Sequence, residues 1–202
     1  MIYWLTHTLA RVAGRIFFRH RILHREFLPE SSGAIIVANH VSFLDPSMVG
    51  ACFRNPIYYL ARKSLFKGFL GWLLPRIQVL PVDLGKGDLG SMKRILRLLK
   101  EGHRVLIFPE GTRSPDGTLQ AAEAGIGFII AKGDVPVIPV RIFGAHECWP
   151  RTSTWPRPGR ITVVAGPAVD FSGLSPDLAG RDRYQACADL VMQALAAIRL
   201  EA

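Results

Sequence analysis

Short apolar runs alternate along the chain with longer stretches in which apolar residues recur at helical spacing. The runs are rich in Val, Ile and Leu, which is typical of strands buried on both faces of a parallel sheet. This alternation favours an α/β fold, a single layered domain with a mostly parallel central sheet flanked by helices. The proline-rich stretch 144–159 is predicted to be a long loop. Strands are predicted at residues 34–38, 57–61, 77–82, 104–108, 137–142 and 161–165, and helices at residues 46–53, 65–74, 88–100, 119–132 and 184–200.

The first thirty residues predict an amphipathic helix, because apolar side chains recur at steps of three or four, with one gap, along one face. A basic, apolar helix of this kind lies in the headgroup region of a membrane. Residues 1–30 are therefore interpreted as a membrane-associating helical segment ahead of a domain at residues 31–202. A helix packed on the protein's own core is an open alternative, and a nucleic-acid-binding helix is disfavoured because no recognised motif is present. The stripe consists of Ile2, Leu5, Leu9, Val12, Ile16 and Leu23, flanked by Arg11, Arg15 and Arg19.

Composition narrows the class of protein further. A chain of 202 residues that is 49% hydrophobic can build one large core, which excludes a disordered tail. The 25 Lys and Arg residues outnumber the 16 Asp and Glu residues, and a net charge of +9 indicates an anionic partner. No apolar run is long enough to span a bilayer, and the N-terminus does not resemble a signal peptide, so we expect it to be retained. The three cysteines lack zinc-binding spacing, which predicts no metal and a reducing compartment.

The first candidate motif, Asn39-His40-Val41-Ser42-Phe43-Leu44-Asp45, follows the predicted strand at 34–38. Sites in α/β sheets form where strands end. An aspartate that holds one ring nitrogen of His40 fixes the tautomer and raises the basicity of the other nitrogen, as a general base requires. The alternative is structural, with Asp45 as the N-cap of a helix and His40 as a turn residue.

The second candidate motif, Phe108-Pro109-Glu110-Gly111-Thr112-Arg113-Ser114, follows the predicted strand at 104–108. Its residue types suit an anion, because Arg113 can grip a phosphate with two N–H groups while Gly111 lets the backbone approach closely. Thr112 and Ser114 add hydroxyl donors, and Glu110 can accept from a polyol hydroxyl or orient the arginine. The alternative is a surface turn with a Glu/Arg ion pair.

The chain lacks the Gly-x-Ser-x-Gly turn of serine hydrolases, the GxxxxGK[ST] phosphate loop and the HExxH zinc motif. Covalent serine catalysis is therefore not indicated. If the chain carries out acyl chemistry, direct transfer is the simplest route, with His40 taking a proton from an acceptor hydroxyl that attacks an activated acyl group.

These two motifs, together with Val135-Pro136-Val137-Ile138-Pro139-Val140, resemble those of the glycerolipid acyltransferase family, typified by bacterial 1-acyl-glycerol-3-phosphate acyltransferase. The resemblance runs from about Gly33 to Pro167 and includes a lysine-containing segment at residues 61–66. It implies that His40 is the catalytic base and that Asp45 orients it. It also implies a substrate-binding set of Lys63, Lys86, Glu110, Gly111, Thr112 and Arg113 and an acyl site formed by Val135, Pro136 and Pro139.

The chain departs from the family pattern at one place. The family pattern that the chain resembles has a phosphate-binding arginine at the position of Leu84. Leucine cannot bind phosphate, and Lys86 is the nearest residue that could substitute for the arginine. An acceptor other than a lysophosphatidic acid is therefore an open alternative. The apolar stretch at 65–74 could line an acyl tunnel or face a membrane, but packing in the core is the favoured interpretation.

The resemblance implies transfer of a fatty acyl group from acyl carrier protein or coenzyme A to the hydroxyl of a lysophospholipid, first of all 1-acyl-glycerol-3-phosphate. The thioester is a co-substrate, and no cofactor or nucleic acid is expected. The expected partners are the lysophospholipid, the thioester carrier and an anionic membrane surface. The expected location is the cytoplasmic face of the membrane, peripheral or monotopic. Alternatives are acylation of another lysolipid and a catalytically silent lipid-binding protein of the same fold.

Overall fold

A computed structural model describes residues 1–83 and 88–200. Leu84 and Lys86 lie outside the described residues. The strands are β1 Arg21–Leu23, β2 Ala34–Ala38, β3 Tyr58–Arg62, β4 Val79–Val82, β5 Arg104–Ile107, β6 Val137–Phe143 and β7 Thr162–Ala165. The α-helices are α1 Ile2–Phe18, α2 Asp45–Cys52, α3 Gly68–Leu73, α4 Leu89–Lys100, α5 Ala124–Gly133, α6 Ala145–Cys148 and α7 Gly180–Ala197. Short 3-10 helices lie at Arg25–Phe27, Lys63–Leu65 and Leu74–Ile77.

The seven strands form one sheet in the order β1-β7-β6-β2-β5-β3-β4. All neighbouring strands run parallel except β6 and β7, which are antiparallel. Every residue of the central strand β2 is buried, because hydrophobic clusters cover both faces of the sheet. The predicted α/β fold with a mostly parallel sheet is thereby confirmed.

The N-terminal helix is shorter than predicted and ends at Phe18, because Arg19 adopts the left-handed conformation with φ 42°. Leu23, which was assigned to the helical stripe, lies instead in β1 and pairs with Val164 of β7. Residues 1–30 therefore contribute a strand to the central sheet. Helix α1 packs on the domain through Tyr3 and Phe18, which are buried.

The favoured interpretation of residues 65–74 as core is wrong. None of the residues of α3 is buried, and Phe69 is 70% exposed. The stripe of α1 is exposed as well, with Ile16 67% exposed. The 3-10 helix Leu74–Ile77 contacts both α1 and α3. We call these side chains together the apolar face: Trp4, Leu5, Leu9, Val12, Ile16 and Phe17 of α1, and Leu65, Phe69, Leu70 and Trp72 at and near α3.

The order of the strands positions the two motifs. Strand β2 pairs in parallel with β5, with Val37 opposite Ile107, so both strands end at the same edge of the sheet. The loops that follow them begin with the two candidate motifs. The motifs, which are some 65 residues apart in sequence, therefore meet at this edge.

Candidate active site

The imidazole of His40 is held by the carboxylate of Asp45. Nδ1 lies 2.8 Å from Oδ2, and because a carboxylate only accepts, Nδ1 carries the proton and Nε2 is the basic nitrogen. Oδ2 also accepts hydrogen bonds of 2.7 Å from the backbone N–H groups of Val41 and Ser42. Asp45 is fully buried. It is the first residue of α2 and binds groups that precede the helix, so it is not the N-cap.

Two contacts fix the loop that carries the His40–Asp45 pair: one is aromatic stacking, and the other is a pair of hydrogen bonds made by a side-chain amide. The ring of Phe108 stacks on the imidazole of His40 with centroids 4.0 Å apart and planes inclined by 17°. The side chain of Asn39 pairs with β6 as a strand residue would, since Nδ2 donates to the Ile142 carbonyl at 3.0 Å and Oδ1 accepts from its N–H at 2.7 Å. The position of His40 is thereby set by the sheet and by its neighbour on the second motif.

The carboxylate of Glu110 is buried and joins two backbone segments of the site. Its Oε1 accepts the backbone N–H of His40 at 2.7 Å, and its Oε2 accepts that of Gln120 at 3.1 Å. Burial raises the pKa of Glu110 to about 7, although these two hydrogen bonds oppose the shift. With 3% of the residue exposed, Glu110 uses both carboxylate oxygens to hold backbone amides of the site, and its predicted role in substrate binding stays a prediction.

Arg113 lies beside the catalytic loop. Its guanidinium carbon is 3.4 Å from the centroid of the Phe43 ring, a cation–π contact. Its Nη1 is buried and finds no hydrogen-bond partner within residues 1–83 and 88–200. The next residue, Ser114, donates its backbone N–H to the carbonyl of His40 at 2.7 Å. Arg113 therefore stands next to the His40–Asp45 pair with hydrogen-bonding capacity left for a ligand.

Gly111 and Thr112 complete the turn of the second motif. Gly111 has φ +64°, and a Cβ there would lie 2.7 Å from Cγ of Glu123, so the position requires glycine. Its N–H is occupied by the Phe108 carbonyl at 3.1 Å. Thr112 is exposed, which leaves its hydroxyl available to a ligand.

Lys63 and the predicted acyl-site residues lie in or next to β3 and β6, not the two strands that precede the motifs. Lys63 follows β3 and forms an ion pair with Asp88. The hydrogen bond within this pair raises the pKa of the lysine. The carbonyl of Pro136 accepts a hydrogen bond from the N–H of Ile35, near the start of β2. Ile35 lies about 10 Å from the end of this strand, where the first motif begins. Val135 precedes Pro136 and packs on the core, and Pro139 is buried within β6. Pro139 lies opposite Val37, three residues before His40, whereas Val135 and Pro136 lie toward the start of this strand pair.

A cavity that the sequence did not indicate lies beside the catalytic loop. It has a volume of about 270 Å³ and is bounded by α1, α2, β3 and β4. Phe43, which carries the cation–π contact, is part of its wall. Small residues three and four positions apart on α2 form part of the wall, and this spacing was the available sequence signal. The helices contribute Tyr3, His7, Ala10, Pro46, Gly50 and Ala51 to the wall.

Among residues 1–83 and 88–200, no helix is both long and apolar enough to cross a membrane. The same part of the chain contains no group of three or more His, Cys, Asp or Glu side chains that could hold a metal ion.

The site has the features of an acyltransferase. A family model described as Acyltransferase matches residues 4–143. The chain belongs to this family, and the predicted resemblance to glycerolipid acyltransferases is confirmed.

Individual proteins show the same relationship. A 1-acyl-sn-glycerol-3-phosphate acyltransferase of Pseudomonas aeruginosa is 30% identical over 177 residues, which are 86% of this chain and 65% of that protein. The protein of the same name from Bacillus subtilis is 32% identical over 126 residues, 61% of this chain and 62% of that protein. The chain thus spans less than two thirds of the length of these curated relatives.

Among solved structures, the 1-acyl-sn-glycerophosphate (LPA) acyltransferase PlsC from Thermotoga maritima has the same fold. The TM-score is 0.76 at 22% identity, and the match covers 98% of this chain and 81% of that one.

Proposed function

We propose that this protein transfers a fatty acyl group from a thioester of acyl carrier protein or coenzyme A to the free hydroxyl of 1-acyl-glycerol-3-phosphate, giving phosphatidic acid. The observation that carries the proposal is the contact between Nδ1 of His40 and Oδ2 of Asp45, because it leaves Nε2 free to act as a base. The names of the curated relatives support the choice of acceptor.

The reaction needs no covalent enzyme intermediate. Nε2 of His40 takes the proton of the acceptor hydroxyl while its oxygen attacks the carbonyl carbon of the thioester. The tetrahedral intermediate then collapses, the carbon–sulfur bond breaks, and the leaving sulfur takes the proton from the imidazolium. Between the two proton transfers, Asp45 stabilises the imidazolium of His40 and holds its ring in position.

Arg113 supplies the positive charge for the acceptor's phosphate. The guanidinium offers N–H groups in a planar fork that matches phosphate geometry, and its Nη1 has no partner among the described residues. The exposed hydroxyl of Thr112 is a second donor from the same turn. Lys63, which is paired with Asp88, has a smaller part in this proposal.

The cavity between α1 and α2 accepts a fatty acyl chain. Its wall is mostly apolar and includes Phe43 and Pro46. These two residues stand on either side of Asp45 in the sequence. A chain seated in the cavity therefore ends near the His40–Asp45 pair. A mostly apolar cavity beside convergent polar groups is typical of ligand sites.

The apolar face brings the enzyme to its lipid acceptor. Exposed apolar side chains rarely form such a group on a monomeric protein unless the surface binds something. Arg15 and Arg19 are exposed near the end of α1, and each basic residue contributes about 1 kcal/mol at an anionic surface. We infer a peripheral or monotopic association with the cytoplasmic face of a membrane, where thioester donors are supplied.

The experiment supplies the purified protein with a labelled long-chain acyl thioester on either carrier and a panel of lysolipids in mixed micelles. Mass spectrometry identifies any diacyl product. His40→Ala tests the base, and His103→Ala is the matched control because His103 lies outside the site. We expect phosphatidic acid from wild type and the control and none from His40→Ala.

Other results would contradict this assignment. Product only from another lysolipid would identify a different acceptor and make Leu84 a marker of that specificity. No His40-dependent product from folded protein with either carrier would favour a catalytically silent lipid-binding protein.

A further inference from the structure

The segment after α6 is anchored against the catalytic loop. Ser42 donates its hydroxyl to the carbonyl of Trp149 at 2.8 Å. The indole of Trp149 donates to the Ser153 carbonyl at 3.0 Å, and the N–H of Ser153 donates to the Pro150 carbonyl at 3.1 Å. This last bond closes a four-residue turn with Arg151 at its corner. Three hydrogen bonds thus fix the position from which the exposed Arg151 side chain extends.

Arg151 lies two residues after Trp149, whose ring packs on the same aromatic side chain as the guanidinium of Arg113. The ring of Trp149 lies 5.2 Å from that of Phe43, centroid to centroid, and the Arg113 guanidinium covers the same Phe43 ring. Burial, and after it the positive charge of Arg151, lowers the pKa of Arg113. The positive charge of Arg151 therefore acts on Arg113, in agreement with the aromatic contacts that place the two segments side by side.

No ion pair in the described part of the chain compensates for this repulsion. Neither arginine forms an ion pair with a carboxylate there, and Nη1 of Arg113 has no hydrogen-bond partner. The nearest carboxylate that favours the charge of Arg113 is Asp45, whose Oδ2 already accepts from His40 and two backbone amides. A bound anion stabilises two neighbouring guanidinium groups that have no carboxylate partner of their own.

We propose that Arg151 and Arg113 together bind the phosphate monoester of the acceptor, with Arg151 contributing the second cation of the site. This inference rests on the proposed function, since it concerns the acceptor of that reaction.

The proposal also predicts a preference among acceptors. A phosphate monoester carries about −1.5 to −2 charges at neutral pH and three acceptor oxygens, enough for two guanidinium groups. A phosphodiester headgroup carries a single negative charge and offers fewer free oxygens. A second arginine therefore favours a terminal phosphate over a larger headgroup, and Arg151 would supply this preference from a part of the chain outside both sequence motifs.

The kinetic test compares Arg151→Gln with Arg157→Gln, a matched control on the same segment whose backbone N–H, not its side chain, holds the segment in place. Loss of one charge-assisted contact should raise KM for 1-acyl-glycerol-3-phosphate roughly 10- to 100-fold. The apparent KM for the thioester and kcat should stay within about threefold of wild type. Arg151→Lys should recover part of the loss, because it keeps the charge without the fork.

A binding measurement separates this proposal from the proposed function. The probe is sn-glycerol 3-phosphate, and the readout is the rise in unfolding temperature, which requires no acyl transfer. We expect stabilisation of wild type and Arg157→Gln and a much smaller effect on Arg151→Gln.

If Arg151→Gln loses this stabilisation while wild type forms no diacyl product, the anion site stands and the proposed reaction fails. If wild type is active and Arg151→Gln matches Arg157→Gln in KM and in thermal shift, the reaction stands and the role of Arg151 is overturned. An equal rise of KM for acceptor and thioester would also overturn it, because a phosphate contact acts on the acceptor alone.

Discussion

The backbone N–H of His40 donates a 2.7 Å hydrogen bond to Oε1 of Glu110, and this bond joins the two loops of the candidate site. The return contact runs from the N–H of Ser114 to the carbonyl of His40. The second motif thus holds His40 through both its backbone N–H and its backbone carbonyl. The glutamate contributes to the site by holding the first motif in place.

Replacement of Glu110 by Gln should lower kcat more than it changes KM for either substrate. The amide of Gln can accept from one backbone N–H, but its NH₂ group would face the other and displace a loop. We expect a fall in kcat of about 10- to 100-fold, since a small misplacement of a catalytic group costs that much. Steady-state kinetics with both substrates measures this. A change confined to the acceptor's KM would instead indicate direct contact with the substrate.

The stability of the protein should depend on the titration of Glu110. Its pKa is raised from 4.5 to about 7, so between these values the folded protein binds a proton that the unfolded chain has released. The free energy of unfolding should therefore fall as pH rises through this window and level off above it.

Glu110→Gln removes this titration and isolates its effect from that of other groups. Urea unfolding of wild type and variant from about pH 5 to 8 gives the difference in stability at each pH. Relative to the variant, wild type should lose stability as pH rises. A difference that stays constant over the range would show that Glu110 does not titrate there.

Asp45→Asn should abolish most of the activity while the fold is kept. The oxygen of Asn can still accept from the amides of Val41 and Ser42, but the negative charge that stabilises the imidazolium is lost. By analogy with other His–Asp pairs, kcat should fall by about 10³- to 10⁴-fold. Asp134→Asn, at the end of α5, is the control. Retention of wild-type kcat in Asp45→Asn would argue against His40 as the base.

A larger side chain in the cavity should shorten the acyl chain that the protein accepts. Ala10 lies on the wall of the cavity, so Ala10→Phe fills part of its space. Val12→Phe places the same ring on the exposed side of α1 and serves as the control. We expect the ratio of kcat/KM for short to long acyl thioesters to rise for Ala10→Phe alone. Equal profiles for the two variants would exclude this cavity as the acyl site.

A charge on the apolar face should weaken membrane binding. Leu9→Glu introduces a carboxylate among exposed apolar groups of α1, where contact with lipid would have to desolvate it. Co-sedimentation with anionic vesicles should show a several-fold loss of bound protein, whereas Leu200→Glu, an exposed leucine elsewhere, should bind as wild type does. If Leu9→Glu binds as tightly as Leu200→Glu, another surface faces the lipid.

The sequence predicted six of the seven strands because each contains a short apolar run, a signal that is local in the sequence. It missed β1, since Arg21-Ile22-Leu23 has no apolar pattern and becomes a strand only by pairing with β7, far along the chain. The first motif predicted a contact between His40 and Asp45, and the structure contains this contact. The inward turn of Glu110 and the approach of Arg151 arise from tertiary contacts that no spacing in the sequence encodes.

The pairing of β1 with β7 also affects the order in which the protein can assemble during synthesis. About 140 residues separate Arg21 from its partner Thr162. At ribosomal rates of about 5 to 20 residues per second, the first strand waits roughly 7 to 28 s for its only neighbour in the sheet. During this interval α1 is complete while the sheet edge beside it is not. Contact of the nascent helix with a bilayer at that stage would keep its apolar side chains from associating with other unfinished chains.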